Sequence, residues 1–587
     1  MLHLLALLLA LAPTQDDSTA RDASRPLDER GLENLVAFSR LFGYVRFFHP
    51  IEEQDEAFWA WFAVEGARRA EPAGTPRELA AELAQLVQLF APTVSVFPQG
   101  GRPGDSPALQ RPEGVEKLFL RDWRHQGVQL SAGPNVYRST RRRELVRGDA
   151  LPEGCADPAD PWRAQLAAGI GCRVPLALWD DGAGTLPHVD RAPLCAGLAP
   201  LEEYTAADRA TRLAAVVMGW NVFQHFYPYF DVAEVDWRAE LRRALHAAAE
   251  GAGEREFLDT LQRMVAALRD GHGNVLHPAF QDDGQLPVLW DWVEGALVVT
   301  EARPQVDLAR GDVVLRIDGA DVAEALAREE ERISGATPQW IRAKALGVLR
   351  TGNQGESVAL DVRSPSGEER SVEVAFGPPD FEFREPLPAP VEELSAGIWY
   401  LDLDRAKTEE FLEVLGELEE ARGIVFDLRG YPRQFDALRC FPHLIREHAT
   451  SAQWHIPVVT RPDGEGRDWM QSQWELDPKE PYLGAPKAFI TGGGAISYAE
   501  SCLAIVEHYR LAEIVGGPTA GTNGNINPFV LPGGYRVLWT GMRVLKHDGS
   551  RHHGVGILPT VPVERTLEGV IEGRDELLEA AVATVSR

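Results

Sequence analysis

Residues 487–500 read KAFITGGGAISYAE and place a serine between a glycine turn and a helix. The apolar run at 488–491 predicts a buried strand, and the glycines at 492–494 predict a tight turn. Apolar spacing after Ser497 predicts a helix that continues to Tyr509. Free backbone N–H groups and the positive end of the helix dipole lie at such a helix start, where they can stabilise an oxyanion. The stretch therefore places Ser497 where a nucleophile would be found.

The same residues also have a purely structural interpretation. Ser497 and Glu500 have the spacing of a capping box, in which the serine oxygen caps the helix and the glutamate reaches back. Caps are much commoner than nucleophiles, so this stretch alone favours capping over catalysis. Other parts of the chain are needed to decide between the two.

The composition is that of a large, acidic, multidomain globular protein. The 587 residues are 44% hydrophobic, which is enough for about three to five domains. The net charge of −29 disfavours binding to nucleic acid or to anionic membranes, because both are negatively charged. No spacing of cysteine and histidine is typical of a zinc site, so we expect no metal and no cofactor.

The first twenty residues are typical of a secretory signal peptide. The apolar run at 2–12 is too short to cross a bilayer as a helix but suits the core of such a peptide. We therefore predict export to the periplasm or the medium, and no later segment is apolar and long enough to span a membrane. A Cys155–Cys172 disulfide would suit an oxidising compartment, but the odd number of cysteines leaves the pairing open.

Two aromatic stretches indicate an internal duplication. FGYVRFFHP at 42–50 parallels WNVFQHFYP at 220–228, and Trp59 falls opposite Trp237 at the same offset. Each copy continues into an amphipathic helix, so we predict two similar helical units. The aromatic residues favour core packing over a ligand site. Only the second unit ends in a segment whose side chains could take part in catalysis, DGHGNV at 270–275.

Strand and turn patterns divide the rest of the chain. Short apolar runs with many Gly and Pro predict a β-rich insert between the helical units. Strand runs separated by Asp-Gly and Ser-Gly turns predict a small β domain, and alternating strands and helices then predict an α/β domain. We therefore predict a multidomain α+β protein. Its predicted segments are a signal peptide (1–20), the first helical unit (25–98), the β-rich insert (99–200), the second helical unit (201–284), the small β domain (285–377) and the α/β domain (378–587).

Seven separated motifs occur in the second half of the chain. They are LRDGH (268–272), GDVVLRIDG (311–319), VFDLRG (425–430), SYAE (497–500), VGGPTAG (515–521), GVGILP (554–559) and GRD (573–575). Together they resemble the C-terminal-processing, or tail-specific, serine proteases, and within that family the branch that includes the tricorn core protease and the interphotoreceptor retinoid-binding repeats. The resemblance covers residues 205–587, and the motifs stand in the order of the family.

The resemblance implies both a fold and a set of site residues. It implies a PDZ-like domain at 285–377 and a crotonase- or ClpP-like α/β serine protease domain at 378–587. Ser497 would be the nucleophile and His272 the general base, because a serine hydroxyl is weak until an adjacent base accepts its proton. Glu500 would lie beside the nucleophile as a further catalytic candidate. The implied oxyanion hole consists of backbone N–H groups, those of Gly430 and Tyr498.

The chain departs from the family pattern at the position of its alternative base. One half of the family uses a serine–lysine pair, and Thr522 stands where that lysine would be. The chain contains only six lysines. Lys487 or Lys546 would need a special placement to replace it, so histidine is the preferred base.

Other departures concern the loop beside the nucleophile and the partner of His272. Arg433 lies where the family has a glycine pair, and His553 lies where tricorn-like members have a glutamate. His272 therefore needs another orienting group. The sequence leaves three candidates open: Asp270, Glu500 and His553.

The leading prediction is an exported serine endopeptidase that cleaves peptide bonds through an acyl-enzyme on Ser497. The alternative is a catalytically silent binding protein on the same scaffold, for a peptide or an apolar small ligand, which the departures at Arg433, Thr522 and His553 favour. In a third interpretation the helical units and the insert form a cell-envelope adaptor. The expected partner is a peptide or an unfolded protein, bound through strand addition to the PDZ-like domain; the oligomeric state is open.

Overall fold

The structure, a computed structural model, describes residues 22–587 other than 53, 102–103, 105 and 132–134. The predicted signal peptide lies outside these residues. Within the described ranges no helix is both long and apolar enough to cross a membrane. All five cysteines are free thiols, so Cys155 and Cys172 are not paired.

The first helical unit consists of three capped helices. The side chains of Asp28, Asp55 and Thr75 each accept a backbone N–H at a helix start, which satisfies donors that have no partner within the helix. These helices are α1 (Glu29–Phe48), α2 (Glu56–Ala70) and α3 (Pro76–Gln88).

The insert that follows is rich in short strands. Three of them form a small antiparallel sheet in the order β1-β5-β4, and β2 pairs with both β3 and β6. The elements are β1 (Ser95–Pro98), β2 (Phe119–Gln126), β3 (Arg138–Leu145), β4 (Trp162–Gln165), β5 (Ile170–Val174), β6 (Ala177–Asp180) and the short helix α4 (Ala192–Cys195).

The second helical unit repeats the three-helix pattern and packs directly against the first. The rings of Phe47 and Phe226, one from each aromatic stretch, lie 5.1 Å apart. Residues of both units belong to one continuous apolar core, as expected from the aromatic pattern. The elements are α5 (Arg209–Phe226), α6 (Trp237–Glu250), α7 (Glu254–Ala266) and the strand β7 (Asn274–Leu276).

The small β domain contains a six-stranded antiparallel sheet with its own apolar core. The sheet has the order β15-β14-β11-β10-β9, with β12 paired to β11. Two helices, α8 and α9, form a hairpin that reaches from this domain to the loops around His272. The elements are β8 (Gly284–Gln285), β9 (Val288–Val293), β10 (Ala296–Ala302), β11 (Val313–Ile317), β12 (Ala320–Asp321), α8 (Val322–Glu330), α9 (Pro338–Val348), β13 (Thr351–Gly352), β14 (Ser357–Arg363) and β15 (Glu369–Ala375).

The C-terminal part alternates strands and helices, as its sequence predicts. Its first half contains β16 (Val391–Ser395), β17 (Ile398–Asp402), α10 (Thr408–Glu413), α11 (Leu415–Glu419), β18 (Gly423–Asp427), α12 (Ala437–Cys440), β19 (Ala449–Thr450), β20 (Gln453–Val459), β21 (Asp468–Ser472) and β22 (Glu475–Leu476). Its second half contains β23 (Lys487–Thr491), α13 (Tyr498–Tyr509), β24 (Glu513–Gly516), β25 (Phe529–Leu531), β26 (Tyr535–Leu538), β27 (Arg543–Leu545), β28 (Val561–Pro562), α14 (Leu567–Glu572) and α15 (Glu576–Val585).

The central sheet of this part has the order β16-β17-β18-β23-β24-β28, and its last five strands are parallel. Every residue of β18 and β23 is buried, as expected for strands covered on both faces. The carboxyl ends of parallel strands meet at one edge of a sheet, which is where such folds bind ligands. The loops that carry Gly430 and Ser497 therefore lie side by side.

Two strand ladders join the N-terminal segments to the C-terminal part. Strand β2 of the insert pairs with β20, so the two share one sheet. Strand β7 pairs with β26, with Val275 opposite Val537. Because β7 begins just after His272, this second ladder fixes the histidine loop against the C-terminal part.

Candidate active site

Ser497 has the backbone conformation of a strained turn. Its φ of 59° and ψ of −111° lie in a region that residues with a side chain rarely adopt. The residue follows β23 and the glycine turn, directly precedes α13 and is half-buried. A serine held at a sharp strand-to-helix turn is the arrangement that hydrolases use to expose a nucleophilic oxygen.

Glu500 is fully buried and orders the backbone around Ser497. Its carboxylate accepts hydrogen bonds from the N–H groups of Ser497 at 3.3 Å, Gly521 at 2.8 Å and Thr522 at 2.9 Å, and from the Thr519 hydroxyl at 2.5 Å. The contact with Ser497 is the glutamate half of the predicted capping box. Glu500 thus holds the turn that carries Ser497 and the loop at 519–522 together.

His272 is oriented by a chain of two hydrogen bonds. Its Nδ1 lies 2.9 Å from the Thr540 hydroxyl, which in turn donates to the Asp270 carboxylate at 2.5 Å. Because the Thr540 proton is committed to Asp270, its oxygen accepts from Nδ1–H, which leaves Nε2 as the basic nitrogen. Of the three orienting groups that the sequence leaves open, Asp270 is the one that acts on His272, through Thr540.

Thr522 connects the serine turn to the histidine loop. Its carbonyl oxygen accepts the Ser497 N–H at 2.9 Å, and its hydroxyl accepts the Gly271 N–H at 3.1 Å. A Cβ atom at Gly271 would lie only 2.4 Å from that hydroxyl, so the approach requires glycine. Thr522, which stands where the family has its lysine, therefore links the two loops directly.

Burial lowers the pKa of the His272 imidazole below its usual value. Asp270 and Glu500 act in the opposite direction, whereas the positive charge of Lys344 lowers the pKa further. The imidazole is therefore neutral at physiological pH, which is the state that a general base requires.

The oxyanion hole that the resemblance implies would use the backbone N–H groups of Gly430 and Tyr498. Tyr498 is the first residue of α13, so its N–H has no acceptor within the helix. Gly430 follows β18 at the same edge of the sheet, and a Cβ there would lie 2.6 Å from an Asp404 oxygen. Burial raises the pKa of the hydroxyl of Tyr431, the next residue, and its interaction with the Ser497 side chain lowers it by less. The tyrosine hydroxyl therefore stays protonated beside the serine.

His553 does not orient His272. Its Nε2 donates to the Arg269 carbonyl at 3.0 Å, and its ring stacks on Tyr229 at 3.9 Å. Burial lowers its pKa to about 4, so it is neutral. Arg433 has 76% of its side chain exposed and is paired with a carboxylate at 3.4 Å.

The two lysines considered as alternative bases are both engaged elsewhere. Lys487 donates to the carbonyl oxygens of Leu483 and Ala485, and Lys546 is paired with Glu507 at 2.7 Å. Neither lysine is hydrogen-bonded to Ser497.

Sequence reasoning missed Thr540 and treated Thr522 only as a departure. Thr540 comes shortly after β26, the strand that pairs with β7, and β7 itself comes just after His272. A prediction of that strand pairing would have brought Thr540 to the histidine. No local motif marks either threonine.

No protein-family model matches the chain, and no curated protein matches it. Among solved structures, mature CPAF matches with 14% identity over 64% of this chain and 97% of that one, with a TM-score of 0.52. A single-residue mutant of CPAF matches with 13% identity over 64% and 97%, with a TM-score of 0.54.

The photosystem II D1 C-terminal processing protease also matches, with 17% identity over 62% of this chain and 98% of that one. The TM-score of this match is 0.39. Over about 64% of its length, the chain therefore shares the fold of mature CPAF.

Proposed function

We propose that the chain is a serine endopeptidase of the tail-specific type, with Ser497 as the nucleophile and His272 as the general base. The observation that carries this proposal is the Thr522 bridge, which holds the serine turn and the histidine loop on the carbonyl and the hydroxyl of one residue. The strained backbone of Ser497 and the oriented imidazole support it further.

In the proposed reaction, Ser497 Oγ attacks the carbonyl carbon of a peptide bond as its proton passes to His272 Nε2. The oxyanion accepts hydrogen bonds from the backbone N–H groups of Gly430 and Tyr498. The carbon–nitrogen bond then breaks, and the imidazolium returns the proton to the departing amine. The same imidazole then takes a proton from water, whose oxygen attacks the serine ester, and the imidazolium returns that proton to Ser497 Oγ as the second product leaves. Glu500 positions Ser497 and does not exchange protons in this scheme.

The finer parts of this proposal concern substrate delivery and location. The small β domain would act as a PDZ-like module that adds an extended peptide to an edge of its sheet. Residues 1–20 would direct export to the periplasm or the medium. N-terminal sequencing of protein recovered from those compartments tests the export, because a chain that still begins at Met1 contradicts cleavage.

The catalytic proposal is tested by a fluorophosphonate probe, which reacts with activated serine hydroxyls. We expect labelling of the full chain at Ser497, its loss in Ser497→Ala and a strong reduction in His272→Gln. Ser501→Ala is the matched control, since Ser501 lies on the same helix but is engaged with Asn523. Absence of labelling in the wild-type chain, or equal labelling of Ser497→Ala, contradicts the proposal.

The contact between Tyr431 and Ser497 favours a second candidate function. A hydroxyl that engages the serine side chain can leave it unreactive, as expected of a binding protein on the same scaffold. In that case the wild-type serine is not labelled by the probe, and Ser497→Ala and His272→Gln keep full affinity for a bound peptide. In an enzyme, both of the latter variants lose hydrolysis.

A further inference from the structure

The hairpin of α8 and α9 holds the backbone on both sides of His272. The Asp270 N–H donates to Ser334 Oγ at 3.0 Å, and the Trp340 indole donates to the Gly271 carbonyl at 2.8 Å. Lys344 Nζ lies 3.4 Å from the Gly273 carbonyl. Three backbone groups of the histidine loop, those of Asp270, Gly271 and Gly273, are therefore tied to a domain that does not carry Ser497.

Lys344 is the charged member of this set. Its Nζ also donates to the Ser334 carbonyl at 2.9 Å and lies 5.2 Å from the centre of the Trp340 ring. Both hydrogen-bond acceptors are carbonyl oxygens rather than carboxylates, so the lysine charge is not neutralised by a direct ion pair there. A positive charge in such surroundings acts on its neighbours with little screening.

We propose that Lys344 is a positioning residue for His272: it fixes the histidine loop through the Gly273 carbonyl and keeps a positive charge beside the imidazole. The charge disfavours protonation of the imidazole, so His272 remains available as a base. This inference rests on the proposed function for its purpose, but the interaction itself exists whether or not Ser497 is a nucleophile.

The charges around His272 make the direction of the effect clear. The negative charges of Asp270 and Glu500 favour the protonated imidazole, and the positive charge of Lys344 opposes them. His553 is neutral because burial lowers its pKa to about 4. Removal of the lysine charge leaves both carboxylates unopposed, so the pKa of His272 rises.

Lys344 is suited to this role because it is still charged at neutral pH. Burial lowers its pKa to about 8, while Asp270 acts to raise it. Below that pH the ammonium donates to both carbonyls and repels a proton on His272. Above it, the lysine becomes neutral, and its influence on the imidazole disappears.

The test measures the His272 imidazole directly, by NMR of the full chain labelled with ¹³C-histidine. His272→Gln identifies the resonance. We expect Lys344→Met and Lys344→Gln to raise the pKa of His272 by about one unit, and Lys344→Arg and the exposed-lysine control Lys479→Met to leave it unchanged. Lys344→Gln retains a donor for the Gly273 carbonyl, so it separates the charge from the hydrogen bond.

A wild-type measurement keeps the test decisive even where a variant does not fold. The His272 resonance should show a second inflection at the pH where Lys344 loses its proton. An unchanged pKa in a folded charge-removing variant, or the absence of that inflection, overturns the inference. Fluorophosphonate labelling against pH is recorded in parallel, because a wild-type chain that is not labelled refutes the proposed function without affecting the NMR result.

Discussion

Thr540→Val removes the hydroxyl that joins His272 to Asp270 while it preserves the shape of the side chain. The His272 Nδ1–H then loses its acceptor, and Asp270 loses its 2.5 Å donor but keeps the backbone N–H groups of His272 at 3.1 Å and Thr540 at 2.6 Å. A hydrogen bond to a charged group contributes about 1.5–3 kcal/mol. At about 1.36 kcal/mol for each tenfold change in rate, we expect the reaction of Ser497 to slow roughly 10- to 150-fold.

The assay is the second-order rate of fluorophosphonate labelling at Ser497, which requires no knowledge of the substrate. Thr540→Ser keeps the hydroxyl and should retain most of the wild-type rate. Thr560→Val is a matched control, because the Thr560 hydroxyl donates to Glu513, a residue outside the candidate site. Thermal unfolding of each variant shows whether the fold is preserved.

A folded Thr540→Val variant that labels at the wild-type rate would refute the reasoning. It would mean that the hydrogen bond from Nδ1 does not select the reactive tautomer of His272. Equal slowing in Thr540→Ser would point to packing rather than to the hydroxyl.

Three further outcomes follow from the same site. Labelling should persist below pH 6.5 and fall only in more acidic solution, because burial lowers the pKa of His272 and keeps the imidazole neutral where a free histidine is protonated. Gly271→Ala should slow labelling at least roughly tenfold, since its Cβ would lie 2.4 Å from the Thr522 hydroxyl and push the histidine loop away. Glu500→Gln should lower the free energy of unfolding by about 1–3 kcal/mol, because the amide NH₂ leaves buried donors without an acceptor.

Each of these outcomes has a control. An inflection in the labelling rate near pH 6.5 or above would mean that the imidazole is more solvated than its burial indicates. Gly347→Ala, where an added Cβ meets no other atom within 4 Å, should leave labelling unchanged. Glu507→Gln, at a half-exposed position on the same helix as Glu500, should change stability less than Glu500→Gln in chemical denaturation.

The sequence was sufficient to predict the secondary-structure elements around Ser497. Apolar runs, the glycine turn and the serine predicted a strand, a turn and a helix at 488–509, and the structure has the strand Lys487–Thr491 and the helix Tyr498–Tyr509. The duplicated aromatic stretch likewise predicted two similar helical units. These features are local, so they leave a pattern in neighbouring residues.

The partners of His272 could not be predicted in the same way. Thr540 reaches the His272 ring through the β7–β26 ladder, and Lys344 reaches the nearby Gly273 carbonyl through the α8–α9 hairpin, both from distant parts of the chain. Neither residue has a distinctive local pattern, and threonine and lysine are ordinary surface residues elsewhere. The sequence could offer Asp270 and His553 as orienting groups for His272 only because they lie close to motifs. The structure links Asp270 to the imidazole and shows that His553 is engaged elsewhere.

Helix α5 has consequences for any attempt to dissect the molecule. Nearly all of its residues are buried, because the first helical unit covers one flank and the C-terminal part covers another. A chain shortened to begin near residue 205 would expose the helix surface around Phe226, and β20 would lose its pairing with β2. Such a fragment would aggregate through its newly solvent-exposed apolar surface. The N-terminal third is thus an integral part of the structure that supports His272, and a truncation cannot show what it contributes.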